Sequence, residues 1–439
     1  MPPSTHHARP LVLHFDVNKT VILTDSMDSK SMDVCVREAI SDLFWGQGSA
    51  DNQSWEWLGP GTVGSSKPAN SPALCMTYHD FCKKTIKDKD TRKVAVRNFS
   101  KADEDGQRSM EKMAHQALTI MEIPEDLRDD KSVAQVGLMN GRYLILPALF
   151  KLIAALVQHR IKFSLIFRSF GKDHEKIKAE WNAFCEMRHP VFSKLLNGIG
   201  PLDGSVPGMP DRRLANFHTL YRDKDGPVLA LNTFTNGPDE KSWDSWAKAK
   251  PAEETDTRNG RAFLRDVLKC EVLEGLDSLE VFFEKLLERQ GTIAIKDDWA
   301  WWTWNGESTE SGKLMPLMGK KRVNTIFFDD NVEQYEPRIV DCRDEFGNPY
   351  PKEKSLGVMI SKVNPVEAAL DDRYFLRAVE RCLQAAAKRP SKNFHIGYDD
   401  TEVVAGRARP SNMGSPLASV KMPAWESFPN PFWCCRGTS

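Results

Sequence analysis

What this sequence lacks narrows it first. It has no run of about 18 apolar residues, so no membrane span is expected, and residues 1–10 hold no apolar stretch of the kind a secretory leader needs. An excess of one charge is missing too. With 60 Lys+Arg against 61 Asp+Glu the formal net charge is -1, so no global basic field gathers nucleic acid or an anionic membrane. Any anionic ligand must then be held by a local site. The nine cysteines (Cys35, Cys75, Cys82, Cys185, Cys270, Cys342, Cys382, Cys434 and Cys435) are odd in number and scattered, with no CxxC or Cys/His spacing suited to zinc. Reduced thiols, and with them a cytoplasmic protein, are the expectation. No internal repeat of fixed period is present.

What remains is an ordinary globular composition, 41% hydrophobic and 28% charged over 439 residues, enough for a large core and two or three domain-sized units. Three apolar runs read as buried strands: LVLHF at 11–15, FSLIF at 163–167 and VNTIFF at 323–328. Each ends abruptly in polar residues. The first runs into Asp16, Asn18, Lys19 and Thr20, the second into Arg168, Ser169 and Gly171, and the third into Asp329, Asp330 and Asn331. Further strands are expected at 228–234, 292–296, 338–342 and 356–360. Helical spacing predicts helices near 36–43, 143–157, 173–196, 279–287 and 373–388.

Apolar strands alternating with helices predict an α/β protein with an open, mostly parallel, Rossmann-like sheet covered by helices on both faces. In such sheets the ligand crevice lies outside the carboxyl ends of the strands. Asp16, Ser169 and the Asp329–Asp330 pair would therefore converge on one edge, far apart in the chain but close in space.

Phosphoryl transfer through a covalent intermediate needs a carboxylate nucleophile, cations against the phosphate oxygens, and short donors that hold those oxygens. These strand ends, with one lysine, supply that set. The pattern resembles the four signature motifs of the haloacid dehalogenase (HAD) superfamily, in the same order. Phe15-Asp16-Val17-Asn18-Lys19-Thr20 is similar to the first motif, residues 163–169 to the second, Lys313 to the lysine near a helix start that forms the third, and Asp329-Asp330 to the paired acids of the fourth. Lys296, Lys320 and Lys321 are alternatives for the third.

The resemblance implies a magnesium-dependent phosphatase or phosphotransferase acting on a small phosphorylated metabolite. Asp16 would carry an aspartyl-phosphate, and Mg2+ would bind the carboxylates of Asp16, Asp329 and Asp330 together with the backbone carbonyl of Asn18. Ser169 would hydrogen-bond the phosphoryl group, with Thr20, Arg168 and Gly171 beside it as substrate-binding residues, and Lys313 would screen the charge. One departure matters. Phosphatases of this superfamily usually carry a second aspartate where this chain has Asn18, and an amide does not exchange a proton near neutral pH. Either another group moves the proton, or the leaving group needs none, or the chain is a binding or scaffold protein on the same fold.

About 150 residues separate Asp16 from Ser169, and nearly as many separate Ser169 from Lys313. The resemblance implies cap insertions at both points. The expected core is therefore discontinuous, 11–30, 143–172 and 290–388, with a mainly helical first insertion at 31–142 and a second at 173–289. A polar, loosely ordered tail is expected at 389–439. His14 is expected as a hydrogen-bonded core residue, the tryptophans at 299–304 as strand positions packed under a helix, and Cys434 and Cys435 as unmodified thiols.

Overall fold

The computed structural model describes residues 9–26, 29–101, 108–128, 131–138, 140–234, 260–318, 323–333 and 335–387. The expected tail, with Cys434 and Cys435, and the alternative lysines Lys320 and Lys321 lie outside the described residues.

An eight-stranded sheet runs through the centre in the order β13-β11-β1-β5-β9-β6-β7-β8. Its strands are β1 (Leu11–Asp16), β5 (Phe163–Ser169), β6 (Asn216–Asp223), β7 (Gly226–Ala230), β8 (Val272–Glu274), β9 (Thr292–Asp297), β11 (Asn324–Asp329) and β13 (Ile360–Lys362). From β13 across to β6 every pairing is parallel, whereas β7 and β8 close the far edge antiparallel. The architecture is α/β with a mostly parallel sheet, as the alternation of runs predicts.

β1 is buried at all six positions because it has a strand on each side and helices on both faces. Its side chains alternate accordingly. Leu11, Leu13 and Phe15 face a core shared with the helices Pro147–Gln158 and Tyr374–Ala386, and Phe15 stacks on Phe328 and meets Phe375 edge-on. Val12 faces the opposite core with Phe283 and Leu286 of the helix Gly275–Glu288. Aromatic contacts of this kind add roughly 0.5–1.5 kcal/mol each beyond their buried area. No helix among the described residues is long and apolar enough to cross a membrane.

Three expectations change at this level, and a further one gains detail. Residues 173–289, expected as an insertion, contribute β6, β7 and β8 to the main sheet itself. Residues 31–142, expected to be mainly helical, also hold a three-stranded antiparallel sheet of β2 (Trp45–Gly48), β3 (Trp55–Trp57) and β4 (Cys75–Thr77). Their apolar residues Val36, Ile40, Ala114 and Met121 join one continuous core with Leu13 and Phe15. The tryptophans do not lie on a strand: Trp299–Trp304 is a helix capped by the Asp298 side chain, with Trp299 and Trp304 exposed. Finally, Lys313 is not near a helix start but opens β10 (Lys313–Pro316), which pairs in parallel with β12 (Val340–Arg343).

Candidate functional site

The strand order reverses at β1. From it the chain crosses to β5, forms β6, β7 and β8 toward the far edge, inserts β9 between β5 and β6, and then adds β11 and β13 on the other side of β1. The crevice of such a sheet lies outside the carboxyl ends at this switch point. Asp16 ends β1 and Asp329 ends β11 there. The carboxylates of Asp16, Asp329 and Asp330 each offer an oxygen, all within 4.8 Å of one another.

Two ammonium groups serve these three carboxylates. Lys313 Nζ donates to Asp16 Oδ1 at 2.5 Å and to Asp329 Oδ2 at 2.7 Å, while Lys19 Nζ pairs with Asp330 Oδ2 at 2.7 Å. Asn331 holds the remaining oxygens of the acidic pair, its backbone N–H donating to Asp329 Oδ1 at 2.8 Å and its amide to Asp330 Oδ1 at 3.2 Å. Among the described residues no donor occupies Asp16 Oδ2. The cluster is thus short of one positive charge and has one open oxygen.

The electrostatics follow from that shortfall. Burial pushes Asp16 well above the usual carboxylate range; Lys313 opposes the shift, and Asp329 and Asp330 add to it. Asp329 moves the same way, driven by burial and by Asp330 against the pull of Lys313. Burial alone would depress the Lys313 ammonium, but Asp16 and Asp329 more than offset this and hold it above its ordinary value.

Lys313 is placed by close backbone packing. The Lys313 N–H donates to Ile339 O at 2.6 Å, and a Cβ on the preceding Gly312 would lie 2.2 Å from that same carbonyl oxygen. Only glycine lets β10 approach this closely. One residue on, Leu314 O accepts from Arg168 Nη1 at 3.0 Å.

Arg168, expected beside the substrate, is committed elsewhere. It is fully buried, donates through Nε to Asp297 Oδ2 at 2.9 Å and through Nη2 to Asp297 Oδ1, and its Nη1 lies 3.2 Å from His14 Nδ1. His14 is therefore a hydrogen-bonded core residue, stacked on Phe327 and held neutral, since burial and the neighbouring guanidinium both depress its pKa.

The Asn18 amide is held at both ends. Its Nδ2 donates to Asp173 Oδ2 at 2.6 Å, and its Oδ1 accepts from Ser169 Oγ at 2.9 Å. Ser169 Oγ accepts in turn from the Gly171 N–H at 2.9 Å, so Gly171 positions Ser169. Asp173 stands where the helix His174–Cys185 begins yet does not cap it, taking hydrogen bonds from Asn18 and Ser26 and an ion pair at 2.6 Å from Lys176 instead. Burial raises its pKa, but these partners outweigh burial and leave the carboxylate below its ordinary value. Thr20 is fully buried, and its Oγ1 has no hydrogen-bond partner among the described residues.

Sequence reasoning thus named Asp16, Asn18, Ser169, Lys313, Asp329 and Asp330, which the fold brings to one end of the sheet. It missed Lys19, Asn331 and Asp173. Lys19 and Asn331 sit inside the quoted loops and could have been read as charge partners, whereas Asp173 was read only as the first residue of the helix expected at 173–196. Beside Asp330 and Lys19 a cavity of about 150 Å³ opens toward Glu38, Asp42, Glu333 and Lys362. Compared with known proteins, the chain matches no family model, no curated protein and no solved structure.

Proposed function

We propose that this chain is a divalent-cation-dependent phosphoryl-transfer enzyme, a phosphatase or phosphotransferase of HAD type, acting on a small phosphorylated metabolite through an aspartyl-phosphate on Asp16. The observation that carries this reading is the buried lysine bridging Asp16 and Asp329, with Asp330 alongside, at the switch point of a parallel sheet. Adjacent buried acids repel unless a cation compensates, and here the two ammonium groups leave one negative charge over.

The donor set fits Mg2+. Asp16, Asp329 and Asp330 with the Asn18 backbone carbonyl would hold it, all hard oxygen donors suited to that ion. When bound, it supplies positive charge against the phosphoryl oxygens. The chain's own groups do the rest. Asp16 Oδ2, the oxygen without a donor, attacks phosphorus; the bond from Oδ2 to phosphorus forms as the bond from phosphorus to the leaving oxygen breaks. Lys313 offsets the charge on Asp16 and on the phosphoryl group throughout. Water then attacks the aspartyl-phosphate, releasing inorganic phosphate and restoring the carboxylate; an acceptor hydroxyl in its place gives phosphotransfer.

Asn18 supplies no proton to the leaving oxygen, so substrates with good leaving groups are favoured. The Ser169 hydroxyl reaches a phosphoryl oxygen by exchanging its bond to Asn18. A second reading, a binding protein on the same fold, is favoured by the same amide, whose partners Asp173 and Ser169 already occupy both its ends.

Hydrolysis of an aryl phosphate separates the two. The wild-type protein is expected to turn it over slowly with Mg2+ and to stop when the metal is chelated, and Asp16→Asn is expected to lose about 10³-fold or more. Equal rates for the two proteins, or no dependence on metal, would rule out the enzyme reading; phosphate binding without hydrolysis would favour the second.

A further inference from the structure

Lys19 is the one cationic side chain in the cluster that the motif comparison leaves without a role. Three observations bear on it. Its Nζ lies 2.7 Å from Asp330 Oδ2 and 3.8 Å from Asp25 Oδ2, so it sits on a carboxylate of the candidate metal set. Its backbone has φ +54°, a left-handed conformation that Asn and Gly also adopt. And it lines the cavity beside Asp330, so its flexible stem has open space to turn into.

From these we infer that Lys19 is a built-in competitor for the divalent cation at Asp330, released when the cation binds and then used to hold the anionic oxygens of the phosphorylated substrate. The inference rests on the reading of Asp16, Asp329 and Asp330 as a metal-binding phosphoryl-transfer site. With Lys19 on Asp330 the three carboxylates carry two ammonium partners, which lowers the repulsion among them while no metal is bound. A divalent cation at Asp330 must share that carboxylate with a unit positive charge or displace it. At these distances charges of like sign repel strongly even at a protein's effective dielectric, so displacement is favoured. The freed ammonium is tethered by only four methylenes to the loop that carries Asp16, so it remains within reach of a phosphoryl group there. Lys313 cannot take this part, because it is fixed between Asp16 and Asp329 by β10.

The test uses the full-length protein with Mn2+ as probe, its affinity read directly by calorimetry or by the spin resonance of the free ion. Lys19→Asn and Lys19→Gly both tolerate φ +54°, so neither adds strain, and agreement between them guards against a folding artefact. Each is expected to bind Mn2+ about tenfold or more tightly than wild type. In the Mn2+-loaded proteins each is expected to bind inorganic phosphate about tenfold more weakly. Lys83→Asn is the control, since Lys83 lines the same cavity but pairs with Glu333; it is expected to leave Mn2+ affinity unchanged. Opposite shifts in the two affinities support the inference, because a purely structural lysine would move both downward. Unchanged or weaker Mn2+ binding in the Lys19 variants, unchanged phosphate binding, or an equal gain in Lys83→Asn would overturn it while leaving the metal site standing. If wild type binds no Mn2+ at all, the underlying phosphoryl-transfer reading fails first, and this inference goes with it.

Discussion

Two buried charge clusters lie side by side on one face of the sheet, and they are built to different rules. Asp16 and Arg168 are register partners on β1 and β5, yet they belong to separate networks. Around Arg168, one guanidinium meets one carboxylate, Asp297, through two hydrogen bonds, with Leu314 O and His14 Nδ1 taking the remaining nitrogen. Around Asp16, three carboxylates share two ammonium groups, and one oxygen has no donor. The first cluster is complete within the protein and fixes β10. The second is complete only with a further positive charge. Burial alone therefore does not separate the two clusters; the balance of charge does.

Breaking each cluster in the same way should give opposite results. Asp297→Ala leaves the buried Arg168 guanidinium without its carboxylate and is expected to cost about 3–5 kcal/mol in denaturant unfolding, with or without metal. Asp329→Asn removes one of three mutually repelling acids while Lys313 keeps Asp16. Its metal-free stability is expected to stay within about 1 kcal/mol of wild type, and the stabilisation by Mg2+ that the proposed site predicts for the wild type is expected to be absent. A large loss of metal-free stability in Asp329→Asn would erase the distinction between the clusters.

A middle-sized effect is expected at Asn18. The carboxylate of Asn18→Asp would stand against Asp173, whose Oδ2 is 2.6 Å from the present amide nitrogen. Like charges so close force one of them to take up a proton. The single variant is therefore expected to melt lower, and Asn18→Asp with Asp173→Asn, which exchanges acid and amide, to recover. If missing proton transfer limits turnover, the exchanged pair should raise hydrolysis of poor leaving groups by roughly 10²–10⁴ and of good ones much less. No gain in either class, with metal binding intact, would mean that Asn18 does not limit the reaction.

The smallest effect is in pH dependence. The pKa values of Asp16 and Asp329 are raised in the folded protein, so the folded state keeps protons that the unfolded chain has released. Their contribution to stability is fully present below the ordinary carboxylate value of about 4 and is lost as pH rises through the raised values. Metal-free protein is expected to lose melting temperature over that rise, and saturating Mg2+, which favours the ionised acids, to flatten the loss. The difference between the two curves is the quantity to measure, because His174, pushed down to about 3 by burial, contributes equally to both. Parallel curves would show that the cluster is not where the metal acts.

Much of this was legible in the chain because buried parallel strands are short apolar runs, and the residues that end them must lie at one edge. Asp16, Ser169, Asp329 and Asp330 are visible on that ground alone. Less was legible where the partner in space decides the structure. The run at 299–304 has the aromatic content of a strand, but the Asp298 cap at its start makes it a helix. Lys313 was found as a residue, yet its strand exists only because β12 lies beside it. Arg168 looked like an anion ligand until Asp297, over a hundred residues later, took its guanidinium.

What the sequence determined by itself is the alternation of strands and helices, the near-zero net charge and the set of polar residues at the strand ends. These are local, set by the spacing of apolar side chains along the chain. Only the tertiary structure decided which of those polar residues meet: that Lys19 and Lys313 divide three carboxylates between them, that Asn18 faces Asp173, and that Arg168 belongs to Asp297. Such pairings follow from strand order and register. A sequence does not display them, because electrostatic energy depends on distance in space and not on separation along the chain.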